Sequence, residues 1–241
     1  MMKTLIIVPT YNERSSVNEL ISAILDLGPE HHILIIDDNS PDGTGAVANA
    51  LAGKYKNCVF IMHRKKKLGM GTAYVEGYKF ALKNGYDYVI QMDADLSHHP
   101  KYIPEFLSLM KKYDLVIGSR FLGGRLNVVN WPWKRVILSR LANKYINVIL
   151  NIGLSDGTSG YKCLSRKFLE AINFGKIRSR DFAVQIEINY LAKEDCFKIG
   201  EFPFTFNNRK TGASKLSWRM IKEAFFLVLF LKFRSLFKKR A

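Results

Sequence analysis

Two aspartates two positions apart, in the run Asp93-Ala94-Asp95-Leu96-Ser97, stand directly after the apolar segment 88–91. Carboxylates at that spacing, where a chain leaves a sheet, can share a hard divalent cation: Mg²⁺ and Mn²⁺ prefer oxygen ligands and commonly bind one or two carboxylates plus substrate phosphates. The competing reading is an acidic loop that is simply solvated, and the position at a strand end weighs against it. A second acidic turn, Asp37-Asp38-Asn39-Ser40-Pro41-Asp42-Gly43-Thr44, closes another apolar segment, with Pro and Gly fixing the turn. Asp38 is a candidate acceptor for hydrogen bonds from a base or ribose, whereas Asp42 could cap a helix beginning near Thr44. His98 and His99 lie close by. Adjacent histidines rarely both ligate one ion, so they read as loop and helix-start residues.

The elements that must position these groups follow from hydrophobic patterning. Short apolar, β-branched runs at residues 4–8, 33–36, 59–62, 88–91 and 115–117 alternate with amphipathic stretches of helical length. That is the pattern of a parallel sheet joined by crossover helices. Ser16-Val17-Asn18-Glu19 reads as a capping box opening a helix to about Leu27. Residues 71–84, stopped by Gly85, and 100–112, begun by Pro100, read as further helices. Ligands of open parallel sheets bind beyond the carboxyl ends of the strands, so Pro9, the Asp37 turn and the Asp93 pair are predicted to meet in one cleft. After Gly124 the pattern is less regular: a helix at 134–150, a polar loop at 155–160, a helix at 181–193 and an extended piece at 197–206. This half is the expected acceptor side.

Composition narrows the function classes. A chain of 241 residues, 48% hydrophobic and 24% charged, can build the core of one α/β domain and is not a disordered chain. A net charge of +16 implies an anionic partner: nucleic acid, acidic lipid headgroups or phosphorylated substrates. The excess is concentrated, because residues 207–241 hold ten Lys or Arg against one acid, Glu223, for a net of +9. In the same tail Trp218, Ile221, Phe225, Leu229, Phe233 and Leu236 recur at helical spacing. The uninterrupted apolar run, 224–231, is too short for a membrane span, which needs roughly 20 residues. An interfacial helix with its basic end on anionic lipid fits, and a helix docked on the domain's own core is the alternative. Cys58, Cys163 and Cys196 lack metal-ligand or disulfide spacing and read as small buried residues in a reducing compartment. The N-terminus reads as the first strand rather than as a signal peptide.

Taken together, Pro9-Thr10-Tyr11-Asn12-Glu13, the 37–44 turn and the 93–100 segment resemble the inverting glycosyltransferase family 2. Later segments narrow the likeness: residues 64–73, 118–124, Trp131-Pro132, Asp156-Gly157-Thr158-Ser159-Gly160-Tyr161, and 209–216. This ordered set, spanning about residues 4–216, resembles the dolichol-phosphate (polyprenol-phosphate) mannose synthases. The resemblance implies an α/β GT-A fold, Rossmann-like, with a mostly parallel central sheet and flanking helices. It also implies a catalytic domain at 1–216, followed by a basic amphipathic helix at 217–241 that serves as a membrane-interface segment.

The same resemblance implies roles for individual residues. Pro9, Tyr11, Glu13, Ile36 and Asp38 would cradle the donor nucleoside, and Asp93, Ala94 and Asp95 would meet its ribose, diphosphate and metal, Mg²⁺ or Mn²⁺. Ser97 stands where some members have a metal-ligating Gln, and its shorter reach implies an intervening water. Arg120, Arg135 and Ser139 would hold the lipid phosphate, with Arg120 also reaching the donor, and Arg209 and Lys215 would close over the donor. Guanidinium forks suit phosphate oxygens, and a positive site gathers two anions that would otherwise repel. Gln185 and Glu187 share one helix face, read either as exposed or as near the acceptor. The implied reaction moves mannose from GDP-mannose to a polyprenyl or dolichyl phosphate, with Asp95 and Arg120 as the catalytic pair. The implied setting is peripheral, on the cytoplasmic face of an anionic membrane surface, with a membrane-protein partner left open. A UDP-sugar donor is the nearest alternative. A basic nucleic-acid-binding protein is a different class, disfavoured because no recognised nucleic-acid module is present and the basic cluster adjoins an aromatic helix.

Overall fold

The computed structural model describes residues 2–208 and 217–238. The first half is a run of βα units: β1 (Thr4–Thr10), α1 (Val17–Leu25), β2 (His31–Asp37), α2 (Thr44–Lys54), β3 (Val59–His63), α3 (Met70–Lys83) and β4 (Tyr88–Gln91). A 3₁₀ turn, Pro100–Tyr102, then leads into α4 (Ile103–Leu109) and β5 (Leu115–Ser119). The second half comprises β6 (Val128–Val129), α5 (Trp133–Leu150), β7 (Lys162–Ser165), α6 (Arg166–Ala171), α7 (Val184–Glu194), β8 (Ile199–Pro203), β9 (Phe206–Asn207) and α8 (Trp218–Lys238).

The central sheet has the order β3-β2-β1-β4-β7-β5-β8, and β6 and β9 form a separate parallel pair. Every neighbour in the central sheet is parallel except β7, which runs antiparallel to both β4 and β5. Strands covered on both faces read as continuous apolar runs, and alternate residues feed two cores. Leu5, Ile7, Leu34 and Ile36 face a core shared with α3, α5, α6, α7 and α8. Ile6, Val8, Ile33 and Ile35 face the one shared with α1, α2 and α4.

Five strand readings match observed strands, and four local readings need correction. β7 was not foreseen, because its sequence, Lys-Cys-Leu-Ser, puts a lysine in a buried strand and has no β-branched residue. The Ser16 hydroxyl does not cap α1; it turns back to the carbonyl oxygen and carboxylate of Glu13, both at 3.2 Å. The helix expected over 100–112 divides at Ile103 into the 3₁₀ turn and α4. Of the cysteines, Cys163 is buried, Cys58 is half-buried and Cys196 is exposed, and all three are free thiols.

The tail helix α8 packs one face on the domain's own core and leaves aromatic side chains exposed on the other. Leu227, Val228 and Leu231 are buried against α5 and α7. Trp218, Phe225, Phe226 and Phe233 face outward. None of the described helices is long and apolar enough to cross a membrane.

Candidate active site

The ends of β1 and β2 are tied by a side chain from each. Thr10 Oγ1 donates to Asp37 Oδ1 at 3.0 Å, and Asp37 also accepts from Ser40 N at 3.1 Å and Ser40 Oγ at 2.6 Å. Gly43, not Asp42, occupies the cap position of α2; Asp42 accepts from Thr44 N, the first helical residue, at 2.9 Å, and its other oxygen accepts from Arg14 N at 3.1 Å. Asp38 is the carboxylate that reaches across the cleft. Arg64 Nη1 lies 2.8 Å from its Oδ1, and Leu68 N and Gly69 N donate to its Oδ2 at 3.2 and 3.1 Å. Asp38 therefore anchors the 64–69 segment, and Lys67, carried by that segment, sits 4.0 Å from the centre of the Tyr11 ring. Tyr11, Asp38 and Lys67 form one corner.

The turn completing this corner depends on glycine. Gly69 has φ +96°, where L side chains are strained, and a Cβ there would collide with the carbonyl oxygen of Arg180. A Cβ on Gly71 would stand 2.8 Å from the Ser179 carbonyl oxygen, and Gly71 N donates to Arg180 O at 3.0 Å. Pro9 pairs in register with Ile36. Ile36 is wholly buried, so its side chain serves the core and only its backbone could meet a nucleoside. Glu13 N donates to Thr44 Oγ1 at 2.9 Å, joining the segment after β1 to the start of α2.

Asp93 and Asp95 leave the end of β4, with Ala94 between them buried in the core. Ser97 N donates to Asp95 Oδ1 at 3.0 Å, and Leu96 takes a left-handed φ of 63°, so the loop doubles back on itself. The Ser97 hydroxyl is buried with no hydrogen-bond partner among the described residues. An orphaned oxygen beside two carboxylates fits a cation's ligand set, and Ser97 remains a fitting third ligand. Among the described residues no three His, Cys, Asp or Glu side chains cluster around one point.

His98 holds this loop in shape. Its Nδ1 accepts from Asp93 N at 3.0 Å, which places the ring proton on Nε2. Burial lowers its pKa, and the charges of Asp93 and Asp95 oppose that without cancelling it. A neutral imidazole stacked on Tyr161 at 4.8 Å is thus a structural part of the 93–97 loop. His99 caps the following 3₁₀ turn, accepting from Lys101 N at 3.1 Å.

The arginines stand beyond the same imidazole. The His98 ring lies 5.8 Å from Phe206, and Phe206 lies 5.3 Å from Trp131. Arg120 sits 5.7 Å from the Phe206 ring and 5.3 Å from that of Trp131, and Arg135 sits 4.1 Å from Trp131. Two guanidinium groups therefore share one aromatic platform, whose cation–π attraction helps offset their mutual repulsion. Arg135 Nη1 also donates to Asn208 Oδ1 at 3.2 Å. Ser139 follows Arg135 by one helical turn on α5, and its carbonyl oxygen accepts from Asn143 Nδ2 at 3.1 Å.

Arg120 pairs with Asp156 through two bonds, Nε to Oδ2 at 2.6 Å and Nη2 to Oδ1 at 2.7 Å. Burial alone would raise the Asp156 pKa; the Arg120 charge and hydrogen bonds from Arg120 and Thr158 outweigh it and hold the carboxyl below its ordinary range. Gln185 and Glu187 are not exposed, since both are fully buried. Gln185 accepts from Gln91 Nε2 at 2.6 Å beneath Gly160, and Glu187 accepts from the backbone of Arg178 and Ser179. Arg209 and Lys215, expected to close over the donor, lie outside the described residues.

The model of "Glycosyl transferase family 2" matches residues 5–172. The chain belongs to glycosyltransferase family 2. Among curated relatives, the polyprenol monophosphomannose synthase of Mycolicibacterium smegmatis is 41% identical over 227 residues, 94% of this chain and 85% of that protein. The undecaprenyl-phosphate mannosyltransferase of Micrococcus luteus is 38% identical over 224 residues, 92% of this chain and 91% of that protein. Among solved structures, glucosyl-3-phosphoglycerate synthase of Mycobacterium tuberculosis, bound to Mn²⁺, UDP and glucosyl-3-phosphoglycerate, superposes with a TM-score of 0.67 at 16% identity. That match covers 95% of this chain and 78% of the other. The same enzyme with phosphoglyceric acid gives a TM-score of 0.68. At that identity the likeness speaks for the fold, the GT-A arrangement expected from the sequence.

Three features of this family 2 site escaped the sequence reading. The role of Asp156 depends on Arg120, 36 positions away, and no local pattern signals such a pair. His98 was read correctly as a loop residue, but its grip on Asp93 N depends on the loop's closure. The outer face of α5 was missed as well: Trp133, Ile137, Leu138, Leu141 and Val148 are exposed there, next to the outward aromatics of α8.

Proposed function

We propose that this chain transfers mannose from GDP-mannose to a polyprenyl phosphate, with inversion, working from a membrane surface as a peripheral protein. The observation that carries the reading is a continuous chain of contacts from Asp93 through His98 and Phe206 to Arg120 and Arg135. One cleft thus offers a seat for a nucleoside diphosphate and its cation beside a seat for a second phosphate. The names of the two curated mannosyl-transferring relatives support the sugar and the lipid phosphate.

The second pKa of a phosphate monoester lies near about 6, so the attacking oxygen is largely ionised near neutral pH. No general base is needed. Arg120 and Arg135 orient that oxygen toward the anomeric carbon, with Ser139 beside them, while the nucleoside diphosphate departs from the opposite face. Tyr11 and Asp38 hold the nucleoside end, and Arg209 and Lys215 are the proposed cover. Asp93, Asp95 and Ser97 would hold Mg²⁺ or Mn²⁺, which offsets charge growing on the leaving diphosphate. The Mn²⁺ of the structural neighbour supports a divalent ion.

The acceptor's hydrocarbon fixes where the enzyme works. α5 carries Arg135, Ser139 and Asn143 along its length, while Trp133, Ile137, Leu141 and Val148 are exposed to solvent. With Trp218 at 77% and Phe226 at 64% exposed on α8, this forms an apolar face rimmed by Lys134, Arg140 and Arg219. Such a face suits an anionic lipid surface, with the phosphate drawn inward and the chain left in the bilayer. Competition among GDP-mannose, UDP-glucose and UDP-N-acetylglucosamine for transfer to polyprenyl phosphate tests the donor. Preference for GDP-mannose is expected, and preference for a UDP-sugar would replace the donor assignment.

A further inference from the structure

The proton inventory of one arginine has a consequence for the acceptor site. A guanidinium has five N–H bonds: one on Nε and two on each terminal nitrogen. In Arg120, Nε donates to Asp156 Oδ2 at 2.6 Å, while Nη2 donates to Asp156 Oδ1 at 2.7 Å and to Thr158 Oγ1 at 2.8 Å. Nη1 makes no hydrogen bond among the described residues, so the two protons not engaged are both on that nitrogen. The rings of Phe121, Trp131 and Phe206 stand 5.3–5.7 Å from the guanidinium carbon and limit its swing.

The clamp is itself built in. Asp156 is fully buried and also accepts from Arg120 N at 3.0 Å and Thr158 Oγ1 at 3.0 Å, with Asn143 Nδ2 at 3.4 Å. A carboxylate has about four lone-pair sites, so these donors fill Asp156 and leave it no capacity to take a proton from a substrate. Its backbone is fixed in turn by Glu201, whose two oxygens accept from Ser155 N at 2.8 Å and Asp156 N at 3.0 Å. Glu201 comes from β8 and Asn143 from α5, so two separate elements brace the loop that holds the guanidinium.

We infer that Asp156 and Thr158 are positioning residues that lock the Arg120 guanidinium with Nη1 presented to the acceptor phosphate. On this account Asp156 is not a base, and Arg120 contributes direction more than charge, because Asp156 already neutralises it. The inference rests on the proposed reading of Arg120 as an acceptor-phosphate ligand.

The test is steady-state transfer to a short-chain polyprenyl phosphate by Thr158→Val, Arg120→Lys and Asp156→Asn, with GDP-mannose affinity measured by calorimetry and folding by thermal melts. Thr158→Val removes one anchor while keeping shape and charge, and it should raise the acceptor KM about tenfold with donor affinity and melting temperature unchanged. Arg120→Lys keeps the charge but cannot fill the same fork, and it should lose about 100-fold in kcat/KM for acceptor. The wild-type rate should show no acid limb that Asp156→Asn abolishes. Unchanged acceptor KM in Thr158→Val, or equal losses for donor and acceptor, overturns the inference while leaving the proposed function standing. Absence of acceptor-dependent turnover in the wild-type enzyme overturns both.

Discussion

The proposed donor and acceptor halves of the site hold their charged groups in different ways. On the proposed donor side Asp37 and Asp42 accept from backbone N–H groups and hydroxyls of Ser40 and Thr44 in their own turn, while Asp38 reaches Arg64, Leu68 N and Gly69 N further along the chain. On the acceptor side Arg120 is gripped by side chains 36 and 38 positions away, and Arg135 rests on Trp131 with a bond to Asn208. Carboxylates can be fixed by the chain's own turns because each turn supplies donors. Cations need acceptors or π faces, and most of these come from remote segments, the 156–158 loop and Asn208. The proposed donor half is therefore built in part by its own turn, and the proposed acceptor half mainly by remote side chains.

If that contrast is right, substitutions should separate cleanly. The largest effect is expected for Asp95→Ala, which should lower kcat by at least on the order of 10²–10³ in a radiolabelled donor-to-lipid assay with the melting temperature little changed. Near-normal turnover would remove the cation seat. Arg135→Ala comes next: it should raise the acceptor KM by roughly 10–100-fold, the worth of hydrogen bonds to a charged group, and leave donor affinity intact. A matching loss of donor affinity would erase the division between the halves.

Gly71→Ala should act on stability and on the donor side together. Its methyl group would press within 2.8 Å of the Ser179 carbonyl oxygen, so a loss of about 1–3 kcal/mol in denaturant unfolding and a raised donor KM are expected. Unaltered stability would mean that the 178–181 segment yields easily.

A smaller effect is expected from pH. The His98 pKa is depressed by burial below its ordinary 6.5, so below that value the unfolded chain binds the proton that the folded one refuses. Stability is then full above pH 6.5 and falls as pH drops below it, until the folded-state pKa is passed. His31 is depressed for the same reason and adds to the slope. His98→Gln should flatten the slope in urea titrations, and an unchanged slope would assign it to His31 and the other histidines. The smallest catalytic effect belongs to the apolar face. A Trp218→Ser, Phe226→Ser double variant should weaken binding to anionic vesicles yet leave transfer to a short soluble acceptor unchanged. These exposed positions are better probes than removing the tail, because Leu227, Val228 and Leu231 are part of the core.

What was legible in the sequence follows the same division. Strands of the first half announce themselves as apolar runs, and the turns at 37–44 and 93–97 carry their chemistry in consecutive residues. Gly85 ends α3 with φ +72°, as its position suggested. β7 stayed hidden because buried Lys162, whose Nζ donates to Gln185 O at 2.7 Å, makes an interior strand look like a surface loop. Burial drives the pKa of that lysine well down. Glu187 looked like an exposed helix position for a similar reason, because the two backbone groups that satisfy it lie in a segment with no pattern of its own. Residue type predicts burial well for apolar side chains and poorly for polar ones whose partners are remote.

The central claim is that one cleft brings a sugar nucleotide and a lipid phosphate together. Its most direct test is incubation of the full chain with GDP-mannose, Mg²⁺ or Mn²⁺ and a polyprenyl phosphate, followed by mass spectrometry of the lipid fraction. The account predicts a lipid heavier by one hexose, formed with equimolar GDP and absent with Asp95→Ala. Nucleotide release that does not depend on the lipid, with no hexose on it, would contradict the account.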